Sequence, residues 1–68
     1  MTTNSINPQP YRLTLKDAVE IWLAHWDGVF QHTIAARYRV NPGRVNEVLK
    51  GHRFPEARAE AALVRRAA

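Results

Sequence analysis

The chain has 68 residues, ten Lys and Arg against six Asp and Glu, a formal net charge of +4 and no cysteine. That length allows one small core, and the lack of cysteine excludes a disulfide framework or thiolate zinc site, so tight helix packing or self-association must supply the stability. No window approaches the roughly 18 apolar residues of a membrane span and the start has no signal-peptide run, so a soluble cytoplasmic protein with no membrane partner is expected, in a host of bacterial or phage type.

Residues 1–12 are rich in Thr, Asn, Ser, Gln and Pro, and Pro8 and Pro10 stop a helix from propagating, which predicts a flexible arm before a domain over residues 13–68. Thr14-Leu15-Lys16-Asp17 is a capping-box variant with Asp where Glu is usual, so a first helix starts there. Leu15, Ala18, Val19, Trp22 and Trp26 recur at three- and four-residue steps, Ile21 and Leu23 widen the apolar surface, and Asp27-Gly28 closes the helix. A domain this small needs the area of both tryptophans in its core; the alternative is an exposed aromatic anchor of Trp22, Trp26 and Phe30.

Val29 to Tyr38 has the spacing of a shorter second helix, with Val29 or Phe30, Ile34, Ala35 and Tyr38 inward and His32, Arg37 and Arg39 outward. Asn41 is suited to cap a third helix and Pro42 to open it; that helix buries Val45, Val48 and Leu49 and ends at Gly51. After a connector from His52 to Pro55, Pro55-Glu56 opens a fourth helix rich in Ala and Arg. Its stripe of Ala57, Ala61 and Val64, with Leu63 beside it, is suited to packing on the domain or on a second copy. The class expected is an all-α bundle of three to four helices, with neither repeat nor strand-like alternation.

The location of the charge says more than its size. From Gln31 to Arg53 the chain carries Arg37, Arg39, Arg44, Lys50 and Arg53 against Glu47 alone, while the five basic and five acidic residues elsewhere cancel. The whole positive excess therefore falls on the second and third helices and the connector, the footprint expected where a protein meets phosphates.

Across Gln31 to Lys50 the apolar and small positions fall where two steeply crossing helices need them, with Ala35 at the tight spot and Ile34, Tyr38, Val40, Val45 and Val48 filling the wedge. This segment resembles the helix-turn-helix DNA-binding superfamily, particularly its phage-repressor and resolvase branches. Ala35, Val40, Val45 and Val48 match the family's small residue, its apolar residue at the turn's exit and its two apolar residues on the recognition helix. One departure is Arg39, at the first residue of the turn, where the family usually has Gly in a left-handed conformation; a non-glycine residue costs on the order of 1 kcal/mol there, and a turn one residue longer is the alternative.

The resemblance implies that the third helix lies in the major groove with its N-terminal residues near base edges. Arg44, by bonding both guanine acceptors, and Asn46, by doing the same at adenine, are then the best candidates for sequence readout. Glu47 either accepts from a cytosine amino group or orients Arg44 three residues earlier, the second being favoured. Gly43, without a side chain, lets the helix start approach the groove. Gln31, His32, Thr33, Arg37, Arg39, Lys50, His52 and Arg53 are candidates for phosphate contacts, which position a protein without naming a sequence.

The function expected is sequence-specific binding of double-stranded DNA by a small nucleoid-associated transcriptional regulator. A homodimer would read an inverted repeat, joined through the C-terminal helix, where Ala57, Ala61 and Ala62 permit close contact, or through the first. The alternatives are a DNA-positioning subunit of a packaging, replication or recombination complex, and a protein-interaction module. No Gly-rich phosphate loop, nucleophile elbow or catalytic carboxylate pair is present, and His25, His32 and His52 share no i, i+4 spacing. No enzyme activity, metal, cofactor or small-molecule substrate is expected.

Overall fold

The computed structural model describes residues 12–68. The arm expected over residues 1–12 lies outside these except for Arg12, which is exposed and outside any helix. Four helices follow one another, α1 (Leu15–Trp26), α2 (Gln31–Tyr38), α3 (Pro42–Leu49) and α4 (Ala57–Ala67), with no strand among the described residues. The class is all-α, as expected. No described helix is long and apolar enough to cross a membrane.

Local chemistry accounts for most boundaries. The Asp17 amide donates to Thr14 Oγ1 at 3.2 Å and the Thr14 amide donates to Asp17 Oδ2 at 3.0 Å, so two amides left over at the start of α1 are satisfied reciprocally. That bonding also makes the buried Asp17 carboxylate tolerable. At the other end Gly28 takes φ +86°, and the Val29 amide reaches back to the Ala24 carbonyl at 3.1 Å. This closure holds Val29 to the end of α1, and Phe30 is left extended as the N-cap of α2. The second helix therefore starts at Gln31, two residues later than its apolar spacing suggests.

Asn41 caps α3 as expected, its Oδ1 accepting from the Gly43 amide at 2.7 Å with Pro42 in the first turn. The start of α4 differs from expectation: Pro55 and Glu56 form a turn and the helix begins at Ala57. Phe54 precedes them at φ +54°, a left-handed conformation that cannot lead straight into a right-handed helix, and the Ala57 amide closes the turn on the Phe54 carbonyl at 2.9 Å.

Ile21, Ile34, Val45 and Val48 are the largest fully buried side chains, one from each of α1 and α2 and two from α3, with Ala18, Ala35, Ala57, Ala61, Leu13 and Trp22 completing the core. One expectation is corrected: Trp22 is in the core, but Trp26 is 37% exposed. Of Val29 and Phe30, Val29 is the one that packs inward, and Phe30 is 71% exposed. Trp26 stands in the last turn of α1, where Arg65 of α4 lies over it, its guanidinium 5.8 Å from the ring centroid and donating to Asp27 Oδ1 at 3.0 Å and to the Leu23 carbonyl at 3.2 Å. Likewise only part of the α4 stripe is inside: Ala57 and Ala61 are consumed by this protomer's own core, while Val64 is 49% and Leu63 62% exposed.

The Tyr38 hydroxyl donates to Glu20 Oε1 at 2.7 Å, tying α2 to α1. Burial first, and then this bond to a carboxylate, raise the Tyr38 pKa above its ordinary value. The unfolded chain ionises this phenol near pH 10 while the fold keeps it protonated, so its contribution is complete below about pH 10 and declines above it. Urea unfolding between about pH 9 and pH 11 should show stability falling with pH, and Tyr38→Phe should flatten that fall. An unchanged slope in the variant would show that Tyr38 is not its source.

Candidate nucleic-acid interface

Helices α2 and α3 are eight residues each and are joined by Arg39, Val40 and Asn41. Arg39 takes φ 57° and ψ 40°, the left-handed conformation usual for glycine, and its amide and that of Val40 bond back to the end of α2. The turn closes in three residues with an arginine in the strained position. On its inner side Ile34, Ala35, Val45 and Val48 are buried and Tyr38 and Val40 are packed against them, so the apolar wedge read from the spacing is present.

Val45 and Val48 are buried and Leu49 is half-buried against the core, and the same helical period turns other positions of α3 outward. Gly43 and Arg44 are exposed, and Asn46 and Glu47 half-buried. Gly43 has a local reason to be glycine, since a Cβ there would come within 3.1 Å of Asn41 Oδ1, the atom that caps the helix. Its amide is already occupied by that bond.

Glu47 has two arginine partners on one oxygen. Arg44 approaches Oε1 at 3.7 Å, and Arg53 donates to it from Nε at 3.2 Å. The Arg44 contact is the one expected from the three-residue spacing, yet the closer partner comes from the connector. Gly51, at φ +80°, reverses the chain after α3, and the His52 and Arg53 amides both donate to the Glu47 carbonyl, at 2.9 and 3.3 Å. Arg53 is thereby brought back over α3. No helical period links residues six apart, and Gly51 was the only sequence signal of the reversal.

The other phosphate candidates stand in two groups. Arg37, Arg39, Lys50 and His52 are exposed, and none of the four is in an ion pair among the described residues. Gln31, His32 and Thr33 form the first turn of α2, which no side chain caps, so the partial positive charge of the helix start is left toward solvent. The His32 ring stacks on the exposed Phe30 at a centroid distance of 5.8 Å. Arg44, Glu47 and Arg53 are thus brought together as one cluster.

The fold is a small all-α bundle in which α2 and α3 are joined by a three-residue turn, and Arg37, Arg39, Arg44, Lys50 and Arg53 lie on these two helices, their turn and the connector after them. No family model, curated relative or solved structure matches the chain. The strained turn gives a direct test: Arg39→Gly should raise stability to urea by about 0.5–1 kcal/mol, relief of the left-handed conformation outweighing the greater freedom of glycine when unfolded. A loss of stability would show that Arg39 is not held left-handed.

Proposed function

We propose that this chain is a non-enzymatic, sequence-specific double-stranded DNA-binding protein, a small transcriptional regulator that acts as a homodimer at the nucleoid. The observation that carries the proposal is the coincidence of the entire positive excess with the α2–turn–α3 unit and the connector after it. A three-helix core by itself gives no reason for that coincidence. Arg37, Arg39 and Lys50, held by no ion pair among the described residues, are available to phosphates, and the uncapped start of α2 at Gln31, His32 and Thr33 offers amides and a favourable dipole to another.

Readout falls to α3. Arg44 reaches guanine and Asn46 adenine, each in bidentate fashion. Glu47 holds Arg44 at 3.7 Å, a half-exposed pair worth at most about 1 kcal/mol, so Arg44 is oriented before contact and released to a base at little cost. A single recognition helix touches only a few base pairs. Two copies on an inverted repeat, with half-site centres roughly 34 Å apart, would supply the surface and specificity that one module of this size lacks.

Anisotropy titrations test this. Neutralising three to four phosphates per protomer should cost roughly two decades of affinity for random duplex per bound protomer across a fourfold rise in salt; a flat response would remove DNA from consideration. Arg37→Ala and Lys50→Ala should weaken all duplexes about equally, whereas Arg44→Ala and Asn46→Ala should cost about 1–3 kcal/mol on a selected site and little on random DNA. Identical behaviour of Arg37→Ala and Arg44→Ala would overturn the assignment of readers.

A further inference from the structure

We infer that the apolar groove between α1 and α4 is the seat of a second copy of this chain. The groove holds about 470 Å³; its floor is Leu15, Val19 and Leu23 of α1 and Val64 of α4, and its rim is Lys16, Glu20 and Glu60. None of these residues belongs to α2 or α3, so a partner seated here leaves the basic unit uncovered. The contact rests on the proposed DNA binding for its purpose, which is to present two recognition helices. Its existence is independent of that purpose.

Two features single out a copy of the same chain as the occupant. Leu15, Val19 and Leu23 stand at four-residue steps, a pattern symmetric about Val19. A two-fold axis crossing α1 there sets Val19 on Val19 of the second copy and each Leu15 on a Leu23, as an isologous contact requires. The rim is also self-complementary. Lys16 and Glu60 are exposed and in no ion pair among the described residues, and Glu20 bears a carboxylate whose hydrogen bond comes from neutral Tyr38. Rotation about the axis brings Lys16 of each copy toward the carboxylates of the other.

The chain's own first eleven residues are the rival occupant. They offer Ile6 and Tyr11 but no charged side chain, so they cannot answer a rim of both signs. A second copy brings both. With Leu63 beside the groove and exposed along with Val64, the apolar surface continues past its edge on α4.

Sedimentation of the full chain without DNA, at concentrations up to the order of 100 μM, tests the contact. A reversible dimer is expected. Val64→Glu, at a half-exposed position, should raise its Kd more than about tenfold with helical circular dichroism unchanged. Lys16→Glu and Glu60→Lys should each weaken it by roughly two- to fivefold, and the double exchange should recover most of that loss. A monomer throughout, which is the result if residues 1–11 fill the groove, overturns the inference, as does a dimer indifferent to Val64→Glu or a double exchange without recovery. Random duplex titrated with the same proteins separates the two claims: a dimer that ignores DNA keeps the groove and loses the DNA-binding proposal, and a monomer that binds DNA does the reverse.

Discussion

Closure of Ile21, Ile34, Val45 and Val48 into one fully buried cluster is the interaction on which the remainder of this structure depends. Helices of eight residues do not hold together alone in water, so α2 and α3 exist because their apolar sides are covered by α1 and by each other. The cluster also sets the aim of α3. Val45 and Val48 are three residues apart on one side of that helix, and with both inside, Gly43, Asn46 and Glu47 are turned away from the core while Arg44 is exposed on the flank. A native margin of only about 5–15 kcal/mol leaves little slack for a void among four such side chains, each methylene of which is worth nearly 1 kcal/mol. Ala35, buried where α2 meets α3, is the point at which a larger side chain would separate the two helices.

Backbone strain brackets the same helix. Arg39 before α3 and Phe54 after it are the non-glycine residues with positive φ among those described, and each costs on the order of 1–2 kcal/mol. Phe54 is offset by its side chain, which packs on the core. Arg39 has no such burial: its side chain is exposed, and what it returns is a turn short enough to press Val40 against the wedge while leaving a cation at the rim.

The arginines divide between two roles that composition cannot distinguish. Arg58 lies 5.6 Å from the Trp22 ring and Arg65 caps Trp26 while pairing with Asp27, so both act as covers for aromatic surface that α4 is too thin to hide. In the basic block Glu47 engages Arg44 and Arg53, leaving Arg37, Arg39 and Lys50 as the cations with no ion pair among the described residues. One carboxylate thereby moderates two of the five cations that the block contains.

What this sequence determined by itself lies close together along the chain. The Thr14–Asp17 box, the Asn41–Pro42 start and the closures at Gly28 and Gly51 are exchanges between residues two to six apart, so they are written in the order of the residues and were legible, as were the helical periods and the all-α class. The placement of the basic block was legible too, since it needs only counting. Tertiary structure alone decided that Trp22 is covered and Trp26 is not, that Ala57 and Ala61 go inward while Val64 remains outside, and that Arg53 returns to Glu47. Each of these outcomes depends on where one helix crosses another, or on how far a reversed chain carries a side chain back. Helical period says which residues share a face; it does not say how far along that face the neighbouring helix extends.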